Sequence, residues 1–305
     1  MSPKTEIVIE QTPPAQPKRR LRKWLLRISA ALLIYIIFGF VVGRRLNVHT
    51  EQIALGLPAP VKLVVLADFH VIDARTAASA GQALAEAMRQ QPDAILLPGD
   101  FVSTIKGIGY LPGLFKDVHA PLGVYAVRGN HDHWTAAEQV QAALESAGVK
   151  LLVDRNVLLH KGKTTLALAG IEDLWYLNGQ IDWTSAYKDI PPGMPIVLMS
   201  HNPDAALMTE GQRAQLIVSG HTHAGHVWMP NILRHTMGRM TGMVLPPMTA
   251  YGMAHLYGLM QERWGWIYIT SGTNPGYLSP LWRTRPEVGI PRWYTRTEVV
   301  VLELR

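Results

Sequence analysis

The sequence predicts an α/β layered domain behind an apolar N-terminal helix. Three observations predict it. Short apolar runs alternate with helix-length segments from Val61 onward, those runs end in Gly, Asp, Asn or His, and a charge-free stretch near the N-terminus is flanked by basic residues.

The N-terminal segment comes first in the chain and carries its charge. Residues 1–45 hold nine Lys/Arg and two Glu, whereas the other 260 residues hold 20 basic and 21 acidic side chains. The net charge of +6 therefore belongs to this segment, and the near-neutral body gives no footprint for nucleic acid. Residues 1–23 read as a disordered tail ending in the basic cluster Lys18–Lys23, residues 24–45 as a transmembrane anchor, and residues 46–305 as one domain. Ile28–Gly43 is free of charge but spans only about 24 Å as a helix, short of a hydrocarbon core of roughly 30 Å. A start at Trp24 reaches 20 residues if Arg27 snorkels toward the headgroups. The sequence VVGRRLN makes a poor cleavage site, and Arg22 stands where a twin-arginine signal wants an apolar residue. Six Lys/Arg between Lys18 and Arg27 flank the start of the apolar stretch and two follow it, so the N-terminus is expected in the cytoplasm, with the domain outside the inner membrane. The chain has no cysteine, which excludes disulfides and thiolate sites, so any metal must be held by His, Asp, Asn or Glu.

In the body, Val61–Ala67 reads as a buried strand, Ala77–Gln91 as a helix stopped before Pro92, and Ala94–Leu97 and Val124–Val127 as strands. A helix is expected over Thr135–Ala147, and further strands over Thr165–Ile171, Ile196–Met199 and Gln215–Val218. Residues 227–259 carry no such rhythm and are rich in Met.

The chemistry stands where these strands stop. Asp68-Phe69-His70 follows the first, Gly99-Asp100 the second, Gly129-Asn130-His131-Asp132 the third, His201 the fourth and Gly220-His221-Thr222-His223 the fifth. Each motif alone is a turn or an ordinary histidine. Together they fall at the carboxyl ends of strands, the rim where α/β sheets bind ligands. The residue types suit two cations: Asp68 and His70 gripping one with His223, Asp100 bridging, and His201, His221 and the Asn130 amide completing the other. Two ions about 3.5–4 Å apart clamp a phosphate and acidify a shared water. Gly99, Gly129 and Gly220 allow sharp turns beside them.

This set resembles the signature of the calcineurin-like metallophosphoesterases. The stretches GVYAVRGNHD, HNPDAAL and SGHTHAGHVWMP are most similar to the membrane-associated bacterial branch. The likeness runs from about Leu55 to the C-terminal VVVLEL. It implies a four-layer αββα sandwich with two divalent ions (Mn, Fe or Zn) between the tips of two sheets. One ion would take Asp68, His70, Asp100 and His223, and the other Asp100, Asn130, His201 and His221. His131 would be the general acid or a phosphate contact, Asp132 would orient it, and a metal-bridging hydroxide would attack phosphorus. Departures from the family pattern are Ala67 and Phe69 around Asp68, Ser103 where an Asp is often found, and Ala224-Gly225-His226 in place of Gly-Gly-Gln. His226 stays open between ligand, substrate contact and packing, and His133 reads as a rim residue.

The resulting expectation is a membrane-anchored two-metal phosphoesterase, a diesterase before a monoesterase. The Met-rich stretch with Trp228, Trp264, Trp266 and Trp282 raises a lipid-linked substrate, against ordinary packing. The rivals are a pyrophosphatase acting on a UDP-linked lipid A precursor at the cytoplasmic face and a catalytically silent module of the same fold.

Overall fold

The computed structural model describes residues 17–176, 180–225, 249–276 and 292–305. The chain begins there with helix Pro17–Gly43, 27 residues long and so about 40 Å from end to end. The window Leu21–Gly43 is apolar enough to cross a membrane and only 11% buried. The helix takes in the basic cluster, which was expected to lie in a disordered tail. Pro is tolerated in a first helical turn, and the Lys, Arg and Leu that follow lose little rotamer freedom in a helix. Residues 1–16 lie outside the described residues.

The body is two six-stranded sheets packed face to face. The first has the order β1 (Leu46–Ile53), β12 (Thr297–Leu304), β2 (Val61–Val65), β3 (Ala94–Pro98), β4 (Val124–Val127), β5 (Lys150–Leu151). The second runs β10 (Gly258–Gln261), β11 (Trp266–Ile269), β9 (Leu216–Ser219), β8 (Ile196–Met199), β7 (Thr164–Gly170), β6 (Arg155–Lys161). β2, β3 and β4 are mutually parallel, and so are β7, β8, β9 and β11. Such strands are buried on both faces and read as unbroken apolar runs.

Their residues divide by the two-residue period of a strand. Val61, Leu63 and Val65 of β2 join Leu166, Leu168, Val197, Met199 and Val218 in the layer between the sheets. Val64 and Leu66 face the other way, with Ile95 and Leu97, onto helix Ala74–Arg89 and helix Ala137–Ser146. On the far face of the second sheet, Ala167, Ala169, Leu198, Ile217 and Ile267 are covered by Ala186, Tyr187, Ala205 and Tyr251. The layers are thus helix, sheet, sheet and helix, the four-layer α/β arrangement.

Two features go beyond the expectations. A short helix that was not expected, Asn130–Thr135, precedes the expected one, which runs over Ala137–Ser146 within the expected Thr135–Ala147, and the two are separated at Ala136 (φ −177°, ψ 82°). The first belongs to the strand-end loop that carries Asn130 and His131, and the second packs Val140 and Leu144 into the core. Strands β1, β5, β6, β10, β11 and β12 were not expected. The half-exposed faces of the edge strands β1 and β10 take polar residues, so neither reads as an apolar run.

Candidate metal centre

The five loops follow β2, β3 and β4, parallel neighbours in the first sheet, and β8 and β9, parallel neighbours in the second, and they meet where the carboxyl ends of the two sets come together. Backbone bonds tie loop to loop: Asp68 N–H donates to Gly99 O (3.1 Å), His70 N–H to Asp100 O (3.0 Å) and Gly220 N–H to His201 O (3.1 Å). Asp68, His70, Asp100, His221 and His223 all have positive φ, between 43° and 72°. Non-glycine residues pay for that conformation, which persists where the surroundings impose it and which clusters at functional sites. Gly129 is needed for a different reason: a Cβ there would run into the Asp100 carboxylate and backbone.

The side chains converge as two groups that share one oxygen. In the first, His223 Nε2 lies 3.0 Å from His70 Nε2 and 3.5 Å from Asp68 Oδ1, and His70 Nε2 lies 3.5 Å from Asp100 Oδ2. In the second, His201 Nε2 lies 3.1 Å from the same Asp100 Oδ2 and 3.2 Å from His221 Nδ1, which lies 3.0 Å from Asn130 Oδ1. Asp68, His70, Asp100, Asn130 and His201 are all nearly inaccessible to solvent. Oxygen and nitrogen donors sit about 2.0–2.2 Å from an ion such as zinc, which places neighbouring donors about 3 Å apart. The observed spacings and donor types therefore fit divalent cations.

The electrostatics point the same way. Burial pushes Asp68 up to about 7. Burial alone would raise Asp100 too, but His201, His131 and His70 hold it well below the carboxylate range. Burial would lower His201, but the Asp100 carboxylate outweighs it and drives the imidazole up to about 10, while burial and the charge on His201 push His221 down to about 3. Buried carboxylates and imidazoles thus crowd one another at a spot whose acidic oxygens a dication would neutralise. His201 Nδ1 lies 2.7 Å from the carbonyl of Pro98, where it acts as donor and leaves Nε2 facing the cluster.

His131 stands beside the first group. Its backbone N–H donates to Asp100 Oδ1 (2.9 Å), and its Nδ1 is 3.2 Å from Ser103 Oγ, which also lies 2.8 Å from His70 Nδ1. Asp132 was expected to orient His131, and the structure corrects this. Its carboxylate accepts from four backbone N–H groups, of Gly129, Asp100, Phe101 and Val102, at 2.8–3.2 Å. As the third residue of a helix capped at Gly129, its side chain turns back over the cap and into the loop after β3. Asp132 therefore locks the Asp100 loop to the Asn130 loop, and Ser103 is the side chain at His131 Nδ1.

Trp134, Trp175, Glu172 and Arg292 were not singled out by the sequence, whereas His133 was read as a rim residue. Trp134 lies edge-on to His131 (centroids 4.8 Å apart) and Trp175 edge-on to His221 (4.7 Å), with Trp134 half exposed. His133 pairs with Glu172 (2.8 Å), which also pairs with Arg128, and it stacks on Tyr176. Arg292 is fully buried behind His223, and burial lowers its guanidinium to about 10. Of the residues considered for a lipid-binding lip, Trp264, Trp266 and Met260 pack against the cores. Trp228, Trp282, His226 and Met229 to Met248 lie outside the described residues.

The family model described as calcineurin-like phosphoesterase matches residues 61–225. A protein of Escherichia coli named phosphodiesterase YaeI is 28% identical over 206 residues, 65% of this chain and 74% of that protein. A Bacillus subtilis protein named uncharacterized metallophosphoesterase YkuE is 26% identical over 235 residues, 75% of this chain and 77% of that protein. A Danio rerio protein named transmembrane protein with metallophosphoesterase domain is 30% identical over 261 residues, 80% of this chain and 53% of that protein.

Proposed function

The chain belongs to the calcineurin-like phosphoesterase family and is a metal-dependent phosphoesterase; from that premise we propose that it is a membrane-anchored, two-metal phosphodiesterase. The observation that carries this reading is the pair of ligand groups meeting at Asp100 Oδ2. Asp68, His70, Asp100 and His223 would hold one ion, and Asp100, Asn130, His201 and His221 the other. Bound there, two divalent ions would supply charge to clamp phosphoryl oxygens and to acidify a water. The chain's own residues do the rest. His131 gives a proton to the departing alkoxide, Ser103 holds its ring through Nδ1, and Asp132 keeps the Asp100 and Asn130 loops in register.

Trp134 and Trp175 form an apolar wall against His131 and His221, which supports a substrate with an apolar organic part, such as a lipid-linked diester. The expected result is Mn²⁺-dependent hydrolysis of bis-(p-nitrophenyl) phosphate by the full chain in detergent, with phospholipid in mixed micelles cleaved faster than soluble diesters. Equal rates on micellar and soluble diesters would remove the lipid reading. No turnover by folded, metal-loaded protein on any diester would remove the diesterase.

The apolar window Leu21–Gly43 supports anchoring in the inner membrane. The basic residues ahead of it support a cytoplasmic N-terminus and an outward-facing domain. An alkaline phosphatase reporter fused after Arg305 is then active. An inactive reporter, beside an active cytoplasmic one, places the domain at the inner face.

A further inference from the structure

The apolar helix does not end free of the domain. Gly39 and Gly43, four residues apart and so on one helix face, meet the strand-like segment Arg292–Tyr294. A Cβ on Gly39 would run into the Trp293 indole, and one on Gly43 into the Arg292 carbonyl. Small residues at this spacing let a backbone lie close against a helix. Tyr294 N–H donates to Gly39 O (2.9 Å), Trp293 Nε1–H to Ile36 O (3.2 Å) and Tyr294 O–H to Tyr35 O (3.2 Å). Tyr35 packs on both aromatic rings, at 5.4 and 5.1 Å.

From that seat Arg292 points inward. Its Nε donates to Asn274 O (2.6 Å), one terminal nitrogen to His223 O (3.4 Å) and to Arg296 O (3.5 Å), and the other lies 3.2 Å from His223 Nδ1. None of these four acceptors is a carboxylate, so the guanidinium is spent on holding backbone and ring in place. Asn274 continues the link. Its side-chain amide donates to Phe69 O (2.9 Å) and His70 O (3.3 Å), and its backbone N–H to Asp68 O (3.1 Å). Thr273 adds a bond to Ala67 O (2.9 Å). The loop carrying Asp68 and His70 and the loop carrying His223 are therefore joined through Arg292 and Asn274. His201, by contrast, is held by Pro98 O, and Asn130 by the helix that Gly129 caps.

We propose that Arg292 and Asn274 are positioning residues that clamp Asp68, His70 and His223 into one cation site, and that the apolar helix is the seat of the clamp. This rests on the two-ion reading above. It makes the helix part of the site's architecture as well as an anchor, so a soluble chain beginning at residue 46 has a loosened first site. Partners one step behind a metal ligand are worth about 10- to 100-fold in affinity.

The test is titration of the metal-stripped full chain in detergent with Mn²⁺, read by calorimetry and by electron paramagnetic resonance. The wild type takes two equivalents. Arg292→Met weakens one of them about 10- to 100-fold and leaves the other, whose retention shows that the protein is folded. Asn274→Ala leaves the guanidinium in place and gives the same selective weakening by a smaller factor, which keeps the test valid should Arg292→Met fail to fold. Gly39→Leu, which displaces Trp293, weakens the same equivalent from outside the site. Two unweakened equivalents in Arg292→Met or in Asn274→Ala, or loss of both together, overturn the clamp. Fewer than two equivalents in the wild type overturn the two-ion reading and the clamp with it.

Discussion

Asp100→Asn is expected to lower Mn²⁺-dependent diester hydrolysis by at least about a thousandfold, or roughly 4 kcal/mol of barrier. Asp100 is the one residue common to both ligand groups, with a single oxygen 3.5 Å from His70 Nε2 and 3.1 Å from His201 Nε2. The other oxygen accepts from the backbone N–H of His131. An asparagine of the same shape has one oxygen. If that oxygen keeps the His131 bond, an NH₂ group is turned toward the cluster, where it donates and cannot bridge. The fold should survive, because the loop is fixed by Asp132 and by backbone bonds to Asp68 and His70 that the substitution leaves alone. The check is kcat on bis-(p-nitrophenyl) phosphate beside the circular dichroism spectrum and metal content. A folded variant within about tenfold of wild type, with both ions retained, would remove Asp100 from the bridging position.

His131→Ala is expected to discriminate between leaving groups. General acid catalysis contributes about 10²- to 10⁴-fold when the departing oxygen is basic. A p-nitrophenolate leaves without a proton, so bis-(p-nitrophenyl) phosphate should lose less than about tenfold, whereas a dialkyl or phospholipid diester should lose the full factor. Equal losses on both would assign His131 to holding the phosphate instead. The prediction follows from position: the imidazole is held by Ser103 Oγ at Nδ1, stands beside the first group, and lies against Trp134 on its exposed side.

The two substitutions probe residues that the sequence marked directly. Asp100 and His131 each follow a fully buried parallel strand, β3 and β4, and those strands are unbroken apolar runs because both of their faces are covered. A polar or glycine residue where such a run stops is visible without any structure. The edge strands β1 and β10 escaped notice for the opposite reason, since a strand with one open face mixes polar and apolar residues much as a loop does.

Asp132 shows where local reading stops. Its place beside His131 suggested a carboxylate–imidazole pair, yet its partners include the amides of Asp100, Phe101 and Val102, about thirty residues away. Ser103 was noticed only as a departure from the family pattern, and its position between His70 and His131 became evident once β3 and β4 were paired. Arg292 and Asn274 carry no spacing signal at all, because what they bind is mostly backbone carbonyl, and every residue offers one.

Composition and periodicity alone thus determined the apolar helix, the layered α/β body and which polar residues stand at the strand ends, because burial on both strand faces and a charge-free helical stretch write themselves into consecutive residues. Tertiary structure decided that Asp132 locks loops, what holds each imidazole, and that the helix rests on the segment behind His223. Those are contacts between residues tens to hundreds of positions apart, and no local pattern encodes the distance between them.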